Sequence, residues 1–202
     1  AWRIRRPRLD GEPVDVTALE RSGDRLLAST RRGLVASDDR GGTWQRAGGD
    51  LPYATRMLLV AARGGDGVLA LLGDPGRLAC SADAGATFTL TDLRPDGAAV
   101  EPDGTVWAGA GADVLLSEDG CRTWRSVPGP GGVASVLGAG AGRVWVGDGR
   151  RVHVGDGATW RDVALGEAAP LDLSGDDGTL TVTTSAGRRV LRDDGSLADA
   201  PE

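Results

Sequence analysis

Arginine is the residue type in this sequence best placed for recognition chemistry. All 23 basic residues are arginine, and pairs or singles of them recur in short turns. The turns are Thr30-Arg31-Arg32-Gly33, Pro75-Gly76-Arg77, Gly149-Arg150-Arg151 and Gly187-Arg188-Arg189. A guanidinium is a planar fork that matches carboxylates and phosphates. Arg31, Arg32, Arg77, Arg150, Arg151, Arg188 and Arg189 are therefore the candidate binding residues, with Arg6, Arg8, Arg56 and Arg94 expected nearby. The competing reading is a solvated rim in which these side chains pair with turn aspartates. Other chemistries find less support. Asp and Glu total 29, enough for a paired-carboxylate glycosidase. Yet Asp66, Asp103 and Asp176 sit in turn signals, where the backbone uses the carboxylate. His153 is the only histidine and lies between valines, the setting of a packed side chain. No Cys/His spacing supports a metal, and the Gly-rich runs lack the Gly-Lys-Ser/Thr of a phosphate cradle. No catalytic residue, metal or cofactor is assigned.

The elements that would carry these turns are set by a repeated signature. Ser37, Asp39, Gly41, Thr43 and Trp44 spell S-x-D-x-G-x-T-W. Ser81, Asp83, Gly85, Thr87 and Phe88 repeat it, as do Ser117, Asp119, Thr123 and Trp124 with Cys121 at the glycine position. A worn copy ends at Trp160. The aromatic positions are 44, 36 and 36 residues apart. A period of about 40 residues with strand-like segments between signatures marks a β-propeller. The expected fold is all-β: a five-bladed propeller of four-stranded antiparallel blades filling one domain, 1–202. The blades fall at about 14–46, 55–91, 98–127, 133–163 and 171–192. The fifth lacks an outer strand with the Thr-Trp signature, and Ala1-Trp2-Arg3-Ile4-Arg5 supplies one. Residues 1–6 are thus expected to pair with 188–192 and close the ring. In the signature hairpin the Asp accepts hydrogen bonds from turn N–H and hydroxyl groups. The Gly allows a left-handed backbone, and the aromatic fills a seam. These are structural roles. Cys121 in place of Gly suggests a shifted turn in the third copy. Trp107 and Trp145 are expected between blades.

The signatures resemble those of the Asp-box, or BNR-repeat, propellers. That group includes sialidases, sortilin-type receptors, some glucan hydrolases and photosystem II stability and assembly factors. The assembly-factor resemblance implies a non-enzymatic binding or assembly module that uses an Arg-rich loop face. Its partner would be another protein, a multisubunit complex or an anionic group. The sialidase resemblance implies the alternative, a carbohydrate-active propeller that binds or hydrolyses glycans. For that reading Ile4 is followed by Arg5 rather than Pro, and the only tyrosine, Tyr53, has no Glu placed to activate it.

Charge and composition narrow the partners. The formal net charge of −6 opposes binding of nucleic acid by bulk charge. No apolar run is long enough for a spanning helix, so membrane insertion is not expected. No leader is visible; an extracytoplasmic location would require one already removed, and the compartment stays open. Lys and Asn are absent and Ile occurs once, the codon bias of a GC-rich bacterial gene. Cys80 and Cys121 lie in neighbouring repeats near rim positions where blades fan apart. Two small, partly buried thiols are expected there rather than a disulfide.

Overall fold

The computed structural model describes residues 7–49, 51–52, 57–62, 65–73, 76–132, 136–140, 142–148, 151–165, 170–176, 179–184, 186–191 and 197–199. Among them every regular element is a β-strand. A short hairpin comes first, β1 (Arg8–Leu9) and β2 (Glu12–Pro13). The first four-stranded sheet runs β3 (Val16–Ser22), β4 (Arg25–Thr30), β5 (Gly33–Ser37) and β6 (Gln45–Arg46). The second runs β7 (Met57–Ala61), β8 (Val68–Leu72), β9 (Arg77–Ser81) and β10 (Thr89–Leu90). The third runs β11 (Gly97–Val100), β12 (Val106–Ala110), β13 (Asp113–Ser117) and β14 (Arg125–Val127). The fourth runs β15 (Val136–Gly140), β16 (Arg143–Asp148), β17 (Arg151–Gly155) and β18 (Trp160–Ala164). The fifth runs β19 (Pro170–Asp176), β20 (Thr179–Thr184), β21 (Gly187–Leu191) and β22 (Leu197–Asp199). Each sheet is antiparallel with neighbours in chain order, the arrangement that successive tight turns produce.

The middles of the second and third strands in the first two sheets are mainly apolar because both faces are covered there. In β4 and β5, Leu27, Ala28, Val35 and Ala36 are fully buried, while Gln45 and Arg46 on β6 are exposed. The chain groups into two compact units. One holds Ala1–Arg94, Pro102–Gly104 and Asp119–Arg122; the other holds Pro95–Glu101, Thr105–Glu118 and Thr123–Glu202. In the first unit Leu27, Leu34 and Ala36 of the first sheet pack on Leu59, Val68, Ala70 and Leu72 of the second. The other face of the first sheet, at Ala28 and Val35, takes Leu9 and Val14 from the leading hairpin, with Trp44 against them. In the second unit Trp107, Val114 and Leu116 of the third sheet meet Val144 and Val146 of the fourth. Trp145, Val152 and Val163 of the fourth then meet Val182 and Leu191 of the fifth. Trp107 and Trp145 are thus core residues, 3% and 2% exposed.

Two strand assignments differ from the sequence expectation. The Thr-Trp pair was expected to open the fourth strand, but β6 begins only at Gln45. The backbone N–H of Thr43 is held by the Asp39 carboxylate and cannot join a ladder. The fifth sheet also finds its outer strand elsewhere. Leu197–Asp199 pairs with 189–191, in the register Arg189↔Asp199 and Leu191↔Leu197. A partner strand that begins six residues after Leu191 closes a far smaller loop than pairing with the N-terminus would. Residues 1–6 lie outside the described residues.

Candidate functional site

The signature turns are hydrogen-bonded cages around a carboxylate. Asp39 accepts from the Ser37 hydroxyl at 2.8 Å, the Thr43 N–H at 2.8 Å and the Thr43 hydroxyl at 2.8 Å. The Gly41 N–H donates to the Ser37 hydroxyl. Asp83 repeats the set with Ser81 and Thr87 at 2.7, 2.9 and 2.6 Å. The worn copy is one residue shorter. There Asp156 accepts from the N–H groups of Ala158 and Thr159 at 2.8 and 2.9 Å. The N–H of Thr43, then the hydroxyls of Ser37 and Thr43, hold Asp39 down at about 2. Burial pushes Asp83 up, but the Thr87 and Ser81 donors outweigh it and its pKa is lowered. The backbone N–H groups of Thr159 and Ala158 lower Asp156 in the same way.

These carboxylates are depressed on folding, so their stabilisation is present above the ordinary value of 3.8 and is lost as pH falls toward 2. We expect the melting temperature to decline from about pH 4 downward. Asp39→Asn should melt lower than wild type at pH 7, and the gap should narrow at pH 2. Equal melting temperatures at pH 7 would exclude this account of the turn.

From the second copy on, each turn rests on the sheet before it. A Cβ at Gly85 would come within 2.8 Å of Leu27 Cδ1 on β4. Gly48, in the loop leaving the first sheet, donates its N–H to the Gly85 carbonyl at 3.2 Å. A Cβ at Gly157, in the worn copy, would come within 3.1 Å of Trp107 on β12. Trp160 also donates its Nε1–H to the Pro128 carbonyl at 2.8 Å.

The third copy makes the corresponding contact covalently. Cys121 is joined to Cys80 by a disulfide, with Cα atoms 6.1 Å apart. This corrects the expectation of two thiols. The two residues do not occupy equivalent positions: Cys80 lies within β9, and Cys121 sits at the tip of a turn that reaches back to it. The turn is not shifted either. Gly120 and Cys121 have φ of 71° and 68°, matching Arg40 and Gly41 at 59° and 86° and Ala84 and Gly85 at 53° and 77°.

The candidate arginines divide by partner. Arg77 donates to the Thr91 carbonyl at 2.6 Å and pairs with Asp92 at 2.7 Å. Arg151 pairs with Asp162 at 3.3 Å, and Arg189 lies 3.8 Å from Asp199. Arg31, Arg32 and Arg188 are exposed. Among the described residues none of the three is paired with a carboxylate. Arg150, Arg6, Arg56 and Tyr53 lie outside the described residues, while Arg8 and Arg94 are exposed.

Three features were not anticipated. In the first unit, Arg32, Gly33, Leu34, Arg46, Leu51 and Met57 line a groove of about 370 Å³. Glu20, Asp24 and Asp66 line a second cavity of about 660 Å³, where Arg21 pairs with Asp24 at 3.3 Å. In the second unit Glu101, 4% exposed, accepts from Trp107 Nε1 and the Gly142 N–H, each at 2.8 Å. It ties the third sheet to a turn of the fourth. His153 is also buried. Its Nδ1 is 2.8 Å from Asp162, whose pKa is lowered first by that hydrogen bond, and its Nε2 has no hydrogen-bond partner among the described residues. No cluster that could hold a metal occurs among the described residues. No described helix is long and apolar enough to cross a membrane.

No protein-family model matches the sequence, and no curated protein matches it. Solved structures do match in fold. The chain is similar to YCF48 bound to D1 peptide, with 16% identity, a TM-score of 0.65, and 95% of this chain and 68% of that one covered. It is similar to YCF48 from Cyanidioschyzon merolae, with 17% identity, a TM-score of 0.61 and coverages of 89% and 70%. It is also similar to the Niastella koreensis GH74 enzyme, with 15% identity, a TM-score of 0.63 and coverages of 93% and 30%. These likenesses are of fold alone, that of a β-propeller.

Proposed function

We propose that this chain is a five-bladed Asp-box propeller forming one domain, and that it serves as a non-enzymatic docking module. Its turn arginines that meet no carboxylate among the described residues grip a carboxylate-bearing protein partner. The observation that carries this reading is the division among the arginines. Arg77, Arg151 and Arg189 have their charge met by Asp92, Asp162 and Asp199. Arg31, Arg32 and Arg188 keep theirs exposed to solvent. An unmatched guanidinium fork is available to an incoming carboxylate without first breaking an internal pair. That one structural neighbour is a peptide complex supports the reading.

Affinity capture from a GC-rich bacterial lysate tests it. Arg31→Ala/Arg32→Ala and Arg188→Ala are expected to lose a partner that wild type retains, while Arg77→Ala and Arg151→Ala keep it. Equal capture by all variants would refute an arginine-based contact.

A second reading, a carbohydrate-active propeller, draws on the similarity to the GH74 enzyme and on the cavity lined by Glu20, Asp24 and Asp66. Two carboxylates across a cleft are the usual requirement for glycoside hydrolysis. Release of aryl aglycone from a panel of chromogenic glycosides, abolished by Glu20→Gln, would favour it. The buried indoles of Trp107 and Trp145 offer no sugar-stacking platform.

A further inference from the structure

We propose that the groove between Arg32 and Arg46 takes an extended internal acidic peptide segment, seating one aliphatic side chain between two carboxylates. The proposal rests on the docking reading and names the partner's chemistry at one site. The floor is apolar: Leu34 and Met57 are 4% and 6% exposed, and Leu51 is half-buried above them. The rim is cationic, with Arg32 and Arg46 on the groove and Arg31 beside it, all exposed. The Arg46 guanidinium donates to the Arg32 backbone carbonyl at 3.3 Å, which holds the Arg46 side chain beside the turn that carries Arg32. No carboxylate pairs with these three arginines among the described residues. An aliphatic side chain on the floor and acidic side chains at the rim would complete both surfaces.

The walls are prebuilt. Ala47 donates its N–H to the Leu34 carbonyl at 3.0 Å, and Leu51 donates to the Gly48 carbonyl at 2.7 Å. Gly48 has φ of +74°, and a Cβ there would come within 2.9 Å of Leu51 and 3.1 Å of Leu34. A glycine at 48 thus lets Leu51 close down beside Leu34. A groove fixed in this way avoids the cost of ordering its walls on binding. A volume of about 370 Å³ suits one side chain and the backbone that carries it. A lone C-terminal carboxylate would answer one guanidinium, whereas an internal acidic run answers all three.

The test is fluorescence anisotropy at low salt with a fluorescein-labelled, end-blocked peptide, Asp-Asp-Leu-Asp-Asp. Wild type is expected to bind it. Replacing the peptide's Leu by Ser, or its Asp residues by Asn, should weaken binding at least about tenfold. Arg32→Ala/Arg46→Ala should do the same, and Leu51→Ala should mimic loss of the peptide's Leu. The peptide changes leave the protein intact, so they decide the matter even if Leu51→Ala fails to fold. Equal binding of the Ser peptide would overturn the apolar seat while leaving arginine docking in place. Binding confined to a peptide with a free C-terminal carboxylate would overturn the internal acidic class. Failure of every peptide to bind a protein that still captures its partner through Arg31 and Arg32 would overturn the groove alone. Loss of that capture contrast would instead refute the docking reading.

Discussion

Replacing Cys80 and Cys121 together by serine is expected to lower the free energy of unfolding by about 4 kcal/mol. The bridge spans a sequence separation of 41 residues. Cross-linking a loop of that size removes chain entropy from the unfolded state worth about 4 kcal/mol. Both cysteines are 3% exposed, so little solvent reaches the bond in the folded protein. Urea unfolding of wild type in the presence of strong reductant should approach that of the serine pair. A second substitution separates the bridge from the backbone it constrains. Cys121 holds φ of 68°, a conformation unfavourable for residues with a Cβ. With Ser at 80, Gly at 121 should therefore be more stable than Ser at 121 by about 1 kcal/mol. A serine pair within about 1 kcal/mol of wild type would show that the bridge contributes little to the fold.

The other large effect is expected at Gly85. Its φ is +77°, and its absent Cβ would stand 2.8 Å from Leu27 Cδ1. Leu27 is fully buried in the seam between the first two sheets, so a shift of its side chain would displace packed neighbours. Gly85→Ala combines left-handed strain of about 1–2 kcal/mol with overpacking of about 1–3 kcal/mol. We expect a loss of about 3 kcal/mol in chemical denaturation. Leu27→Ala alone should cost about 2–5 kcal/mol by leaving a cavity. The double variant should be more stable than the sum of the two predicts by at least about 1 kcal/mol, because the alanine methyl enters vacated space. Strict additivity would mean that the turn does not bear on Leu27.

The strand order was readable because turn chemistry punctuates it. Gly23-Asp24, Asp103-Gly104 and Gly33 bound runs such as Arg25–Thr30 and Gly33–Ser37 closely. The signature cages were readable too, since a carboxylate two residues after a serine and four before a threonine has few other uses. What escaped the sequence was the outcome of contacts between segments distant along the chain. Asp92 is fifteen residues from Arg77 and Asp162 eleven from Arg151. No local pattern says which arginines those aspartates neutralise. The outer strand at 197–199 is short and carries no signature, so Trp2 in the opening segment drew the assignment to the wrong end of the chain. The disulfide was missed because period alone put both cysteines at like positions. It could not show a turn tip folding back onto a strand interior. The groove depends on Gly48 and Leu51, whose relation comes from one tight turn and the side chain of Leu34.

The contact that the second, third and fourth signature turns make with the sheet before them changes what counts as an interchangeable part. Read by period, a module begins at the first strand of one sheet and ends with the fourth. Read by contact, the inherited unit is offset: a sheet together with the turn of the next copy that lands on it. Gly85 belongs with Leu27, Cys121 with Cys80 and Gly157 with Trp107. Duplicating or shuffling copies at the sequence period would separate each turn from its landing site, leaving an orphan thiol at one joint and a clash or void at others. Because the three pairs overlap along the chain, a cut anywhere between Leu27 and Gly157 separates at least one of them.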